Sequence, residues 1–112
     1  MSLRKVSGLP KYVAATVSVM REKMTGILHL TLHRKWFADI ASRKKRIEYR
    51  DQKPYWRKRL EGRKYDVIKF RNGYAPDAPE MLVEFRGLRR KGKGRKAQYA
   101  ILLGRILEIK RW

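Results

Sequence analysis

Short segments in which apolar and polar residues alternate are the feature that most limits the folds open to this chain. In residues 27–33, ILHLTLH, the side chains of Leu28, Leu30 and Leu32 share one face of an extended strand. Further strands are predicted in residues 45–50, 65–71, 81–88 and 98–109. Strands of this kind bury one face of a sheet, so the chain needs something to pack on that face.

Two short helices are predicted between the strands. Residues 34–42 place apolar side chains at helical spacing. Pro54 suits the first turn of a helix that runs to Leu60 and stops at Gly62. We therefore expect an α+β fold, a small β-barrel of about five strands with two or three short helices packed against it. The last strand should bend or bulge at Gly104.

The chain is interpreted as a domain in residues 26–112 preceded by a basic extension in residues 1–25. Part of this extension has a helical pattern with one apolar face, which consists of Val13, Val17, Met20 and Met24. Neither a signal peptide nor a stretch of membrane-spanning length is recognised in the sequence, so no membrane partner is expected.

The charge balance points to a polyanionic partner. Thirty Lys and Arg residues against ten Asp and Glu residues give a net charge of +20, while 43% of the residues are hydrophobic. The apolar content allows a folded core. The positive surface favours nucleic acid, because neutralising phosphates releases counterions. The absence of cysteine excludes disulfides and thiolate zinc sites and fits a reducing cytoplasm.

Residues 42–60, SRKKRIEYRDQKPYWRKRL, combine cations with aromatic rings. Nine of these nineteen residues are cationic, and only Glu48 and Asp51 oppose them. Interleaved rings and cations suit single-stranded nucleic acid, with Tyr55 expected to be exposed. Each residue also has a structural interpretation: Glu48 as a surface ion pair with its same-face neighbours, and Trp56 as a core residue four positions before Leu60.

A second cationic run, residues 89–96, contains six cations and two glycines and is predicted to be a mobile loop that extends a phosphate-binding rim. His29 and His33 lie four residues apart on a predicted strand, about 13 Å from each other, and therefore cannot share one ion. No metal site and no cofactor are predicted.

Three stretches of the chain, HLTLHRKWFADIASRKKRIEYRDQKPYWRKRL, YDVIKFRNGYAPDAPEMLVEF and YAILLGRIL, resemble the ASCH domain, whose fold is similar to the PUA domain. The resemblance covers roughly residues 27–107. It implies that Lys45, Glu48 and Arg50 line a cleft that binds RNA or a nucleotide. The family usually has a glycine at the position of Arg43. Relatives that hydrolyse N4-acetylcytidine have a lysine matching Lys45 and a threonine where this chain has Glu48.

Three functions are therefore considered. The first is an RNA-binding module, whose predicted contacts are Lys45, Glu48, Arg50, Lys53, Tyr55, Arg57, Asn72, Tyr74, Arg89, Arg90, Lys91 and Lys93. The second is an enzyme, a hydrolase of modified cytidine or a ribonuclease, in which Glu48 is the base and Lys45 the electrostatic stabiliser. The third is a non-catalytic assembly protein that docks on a ribonucleoprotein through surface charge. No protein partner is deducible from the sequence.

Overall fold

The structure, a computed structural model, describes residues 26–112; the predicted extension and its apolar face lie outside the described residues. In chain order the elements are β1 (Ile27–Leu32), α1 (Arg34–Ala41), β2 (Ile47–Asp51), α2 (Pro54–Leu60), β3 (Val67–Asn72), β4 (Glu80–Lys91), a 3₁₀ turn (Gly94–Lys96) and β5 (Gln98–Lys110). Within this part of the chain, no helix has the length and apolar composition needed to cross a membrane.

One mixed sheet organises the molecule. Its strands lie in the order β1-β3-β4-β5-β2, with β1 parallel to β3 and the other neighbours antiparallel. The sheet curls into a half-barrel accompanied by the two helices, which confirms the predicted α+β fold. Strands β1 and β2 are the two edges of this sheet, so the half-barrel is open between them.

The core lies inside the curl of the sheet. Leu28, Leu30 and Leu32 are buried as their alternation predicted, and Phe37 and Ile40 of α1 pack among them. Each fully buried side chain of this size contributes about 1.5–3 kcal/mol relative to an exposed one. The core therefore depends on the exact phase of β1, because a shift of one residue would expose all three leucines.

The predicted irregularity at Gly104 is confirmed. Between the pairs Val83–Ile106 and Phe85–Leu103, β5 contains one residue more than β4. A Cβ atom at Gly104 would lie 2.5 Å from Nε of Arg86, so the side chain of the neighbouring strand occupies the space that the glycine leaves. The bulge increases the local twist and helps the long β4–β5 pair to curl.

The prediction of a mobile loop over residues 89–96 is wrong for its first three residues. Arg89, Arg90 and Lys91 belong to β4 and pair with residues 98–100 of β5. Their backbone groups form ladder hydrogen bonds, which a local pattern of cations and glycines does not reveal. Only residues 92–97, which include the 3₁₀ turn, connect the two strands.

Candidate functional site

A groove of about 320 Å³ opens on the side of the half-barrel where its two edge strands approach each other. Strands β1 and β2 and the first turns of both helices contribute its lining, which consists of Thr31, Leu32, His33, Trp36, Glu48, Tyr49, Arg50, Asp51 and Trp56. The groove therefore brings together chain segments that are up to 25 residues apart in sequence.

Two tryptophans form walls of the groove because each helix follows an edge strand almost at once. His33 follows β1 directly and is the cap residue of helix α1. The helix then begins at Arg34, and Trp36 lies in its first turn. Helix α2 begins at Pro54, a residue well suited to the first helical position, and Trp56 lies in its first turn. The strand ends thus fix where both indole rings stand.

Glu48 occupies the floor of the groove and is 6% exposed. Its Oε1 lies 3.1 Å from Nζ of Lys45, and its Oε2 accepts from Nε of Arg50 at 3.0 Å and lies 2.8 Å from Nη2 of the same guanidinium. It is the one charged residue of residues 26–112 that is buried. Burial of a carboxylate is costly, and these two cations offset that cost.

Arg50 joins three elements at the open side of the half-barrel. Besides its contacts with Glu48 on β2, it donates from Nη2 to the carbonyl oxygen of Thr31 on β1 at 3.2 Å. Its guanidinium also lies 4.8 Å from the centre of the Trp56 ring on α2. Since β1 and β2 are not paired in the sheet, Arg50 bridges a gap that no backbone ladder closes.

Lys45 is positioned by the turn that follows α1. Arg43 in this turn has φ 70°, in the left-handed region, which agrees with the glycine that the resemblance implies at this position. The N–H of Lys45 donates to the carbonyl oxygen of Asp39 at 3.0 Å. The Lys45 ammonium then lies 4.6 Å from the Trp36 ring centre and 5.8 Å from that of Tyr49, so it is close to two aromatic rings as well as to Glu48.

The predicted contacts on and near α2 lie on the surface beside the groove. Lys53, Tyr55 and Arg57 are exposed, and the Tyr55 ring lies 3.6 Å from the Arg59 guanidinium. Trp56 is half-buried and packs against the core, as predicted, yet it also lines the groove. Lys53 lies 4.0 Å from Asp51 at the groove margin.

Two predicted contacts lie elsewhere. Asn72 ends β3, where its N–H donates to the carbonyl oxygen of Pro79 at 3.0 Å, and Tyr74 is 86% exposed in the turn beyond it. Neither residue lines the groove. The contact of Asn72 is made by its backbone N–H and joins the end of β3 to the loop before β4.

The four residues of the second basic run that are predicted to contact RNA lie in different environments. Arg90 lies 2.7 Å from Oε1 of Glu61, so its charge is already paired. Arg89 and Lys93 are exposed. Lys91 lies 5.0 Å from the ring centre of the groove residue Tyr49 and therefore connects this run to the groove.

Trp36 is a site residue that the sequence pattern did not reveal. It belongs to the apolar side chains at helical spacing in residues 34–42, but it is 41% exposed while Phe37 is fully buried. Consecutive helical residues point about 100° apart, since a turn contains 3.6 residues. One member of an adjacent aromatic pair therefore lies at the edge of the buried stripe. The pair Trp36–Phe37 was thus the feature of the sequence that indicated a partly exposed ring on α1.

In residues 26–112 no group of three or more His, Cys, Asp or Glu side chains lies close enough together to hold a metal ion. The groove instead offers one buried carboxylate, two fixed cations and exposed aromatic faces. These groups suit a flat, polar ligand with hydrogen-bond donors and a negative charge.

Comparison of the chain with protein-family models, with curated proteins and with solved structures finds no match.

Proposed function

We propose that this chain is an RNA-binding domain of the ASCH type, which accommodates an unpaired nucleobase in the groove beside Glu48. The observation that carries the proposal is a buried carboxylate held between Lys45 and Arg50, in a groove walled by Trp36 and Trp56, on a chain with a net charge of +20. As part of the same proposal, the protein acts in the cytoplasm, which suits a chain without cysteine.

The size of the groove favours a single nucleotide over a duplex. Small-molecule sites usually have volumes of roughly 300–1,000 Å³, and the groove of about 320 Å³ lies at the lower end of that range. Proteins that recognise RNA by sequence generally take unstacked bases from loops or single strands. A base that enters this groove must therefore be unpaired.

The floor of the groove has one acceptor position to offer such a base. A carboxylate has about four lone-pair positions, and three donors of Lys45 and Arg50 already face the oxygens of Glu48. The remaining position suits an amino or imino N–H at the edge of a base. The exposed part of the Trp36 ring provides a surface on which the base stacks.

Affinity in this proposal comes mainly from phosphates. Lys53 and Arg57 lie exposed at the start and middle of α2, near the Trp56 wall. Contacts between cations and phosphates hold the backbone but read no sequence, whereas the groove supplies any selectivity among bases.

A hydrolytic enzyme is the second candidate, and the 3.1 Å contact between Lys45 and Glu48 is the observation that favours it. A base that abstracts a proton needs an open lone pair that faces the substrate. Lys45 and Arg50 leave only one such position on Glu48, and accepting a hydrogen bond there requires no proton transfer, which favours the binding module. Product formed from N4-acetylcytidine or from labelled RNA, and lost in Lys45→Ala, would establish the enzyme instead.

The groove is tested by the binding of a fluorescently labelled nine-nucleotide single-stranded RNA, measured by anisotropy. Stacking of one base contributes about 1–3 kcal/mol, so Trp36→Ala should weaken binding roughly 5- to 160-fold. Trp36→Phe should retain most of the affinity, because it keeps an aromatic face.

The matched control is Trp112→Ala. Trp112 is also exposed and packs on Phe37 at 4.9 Å, but it lines a separate depression. Its loss should leave binding within about twofold of the native value. Native affinity in Trp36→Ala, with the fold intact by circular dichroism, would remove the groove from the binding site.

A further inference from the structure

Tyr49 connects the groove to the end of the β4–β5 hairpin. Two ammonium groups lie near its ring, that of Lys45 at 5.8 Å and that of Lys91 at 5.0 Å from the ring centre. In the sheet, Tyr49 pairs with Ala100, and Ala100 pairs with Arg89 on its other side. Residues directly opposite each other share a face of the sheet, so Arg89 and Tyr49 lie on the same outer face, about 10 Å apart across two strand spacings.

Most of the cations near the end of this hairpin have no carboxylate partner among the described residues. Arg86 and Arg90 form ion pairs with Glu84 and Glu61. Five further cations appear in none of the ion pairs of residues 26–112: Arg89, Lys91, Lys93, Arg95 and Lys96. All five are exposed. Such a group of like charges repels itself, and bound phosphates would relieve this repulsion.

These charges lie on a hairpin with regular secondary structure up to its end. The ladder between β4 and β5 continues to the pair Lys91–Gln98, and one 3₁₀ turn closes the end. Gly92 has φ 77°, and a Cβ atom there would lie 2.8 Å from the carbonyl oxygen of Lys96. The tight turn therefore depends on glycine, and it fixes the backbone that carries Lys93, Arg95 and Lys96 at the end of the hairpin.

We infer that the outer face from Tyr49 to the hairpin end (Arg89, Lys91, Lys93, Arg95 and Lys96) is a track for single-stranded RNA leaving the groove. Tyr49 is the stacking surface for the base next to the one in the groove, and the five cations contact the phosphates that follow. The inference rests on the proposed function, since the groove fixes one end of the strand. It deepens that function by naming single-stranded RNA several nucleotides long as the ligand class.

A duplex does not fit this track. Its bases are already stacked and paired, so neither Trp36 nor Tyr49 would find a free base face. A single strand presents both its bases and its phosphates to one surface, and protein sites of this kind combine aromatic platforms with a cationic path. From the groove toward the end of the hairpin, the surface presents first the Tyr49 ring and then the cations. This is the arrangement that a single strand requires.

The test compares two double variants with equal loss of charge, Arg89→Ser/Lys91→Ser on the track and Arg105→Ser/Lys110→Ser in the second half of β5, where Arg105 is paired with Glu84 and Lys110 with Glu108. Both control residues are exposed. The probes are the labelled nine-nucleotide RNA, its nine-base-pair duplex and cytidine monophosphate, titrated between 0.05 and 0.3 M salt. Each phosphate contact on a single strand adds about 0.7 to the slope of log affinity against log salt.

The track double variant should bind the nine-nucleotide RNA roughly 20-fold more weakly than the native chain at 0.1 M salt, with the salt slope reduced by about 1.4. The control pair should change both quantities far less, and binding of cytidine monophosphate should be unchanged in the track variant. The native chain should prefer the single strand to the duplex.

Equal slopes in the two double variants would overturn the track, as would equal binding of duplex and single strand. An equal loss of cytidine monophosphate binding would overturn it too, because the two residues would then act on the groove itself. The groove is judged separately by Trp36→Ala. A loss of binding in that variant, together with an unchanged track variant, would leave the proposed function standing without the track.

Discussion

At the scale of single residues, the decisive feature is where a charged triad lies. The spacing of Lys45, Glu48 and Arg50 fits both an exposed ion pair of little energetic value and a buried site. In the structure Glu48 is buried, and Arg50 reaches the carbonyl oxygen of Thr31 across the open side of the half-barrel. Arg50 is therefore a positioning residue as well as a candidate ligand contact. Lysine at this position would lack the planar fork that allows these simultaneous contacts.

Arg43 provides a prediction about stability. Its φ of 70° costs a residue with a side chain about 1–2 kcal/mol, whereas glycine pays little in this conformation. Glycine also gains freedom in the unfolded chain, which offsets about 0.4–1 kcal/mol of the benefit. Arg43→Gly should therefore raise the free energy of unfolding by about 0.5–1 kcal/mol, measured by urea denaturation.

Arg43→Ala is the control for this prediction, because it removes the same positive charge but keeps a Cβ atom. It should not share the gain. An equal increase in both variants would show that relief of charge repulsion, and not of backbone strain, is responsible.

At the scale of elements, α2 is held to the sheet by a polar cluster at its carboxyl end. Glu61 follows the helix directly and accepts a hydrogen bond from the hydroxyl of Tyr99, which is fully buried on β5. The Arg90 guanidinium on β4 lies 2.7 Å from the other carboxylate oxygen. This cluster ties the helix that carries Trp56 to two strands, so the groove wall depends on it.

The cluster predicts a pH dependence of stability. The hydrogen bond from Tyr99 lowers the pKa of Glu61 below its usual 4.5; partial burial opposes this effect, and Arg90 and Arg57 add to it. A carboxyl whose pKa is lower in the folded state stabilises the fold above the unfolded pKa, and this contribution disappears as pH falls through the folded pKa. Thermal melting followed by circular dichroism should therefore show native stability falling below about pH 4.5, and less steeply in Glu61→Gln.

Burial, together with the contact with Glu61, raises the pKa of Tyr99. Its contribution is thus complete below the ordinary tyrosine pKa of about 10 and is lost as pH rises through the folded value. Asp66→Asn, which removes an exposed carboxylate at the start of β3, is the control. Asp66→Asn should reproduce the acid melting curve of the native chain, and the cluster model fails if Glu61→Gln reproduces it as well.

At the scale of the whole molecule, the net charge of +20 opposes folding through self-repulsion. Salt screens this repulsion, since the Debye length falls from about 30 Å at 0.01 M to about 8 Å at 0.15 M. The melting temperature should therefore rise by about 5 °C between 0.01 and 0.3 M sodium chloride, which corresponds to roughly 1 kcal/mol for a domain of this size. A fall in melting temperature would mean that the surface ion pairs outweigh the repulsion.

Potassium chloride and sodium sulfate at equal ionic strength separate screening from the general stabilising effect of sulfate. If screening is the cause, the two chlorides should act alike at every concentration. Sulfate should add to their effect only at high concentration, where it is excluded from the protein surface.

Much of the fold was predictable because its signals are local. Alternation placed Leu28, Leu30 and Leu32 in the core, and Gly104 marked the bulge in β5. The departure of Arg43 from the glycine that the resemblance implies pointed to the strained turn before Lys45. Each of these features depends on the residue itself and its near neighbours in the chain, so the sequence contains the information directly.

The site was decided by contacts between distant segments. The same spacing around Glu48 fits an exposed or a buried carboxylate, and only the approach of β1 and β2 places it at the floor of a groove. Likewise, Arg89 to Lys91 form a strand because residues 98–100 supply hydrogen-bond partners, which no local pattern of cations predicts. The sequence thus determined most of the strands, both helices and the strongly positive charge of the chain. Burial and pairing, which depend on residues far apart in the chain, decided which charges meet in one groove.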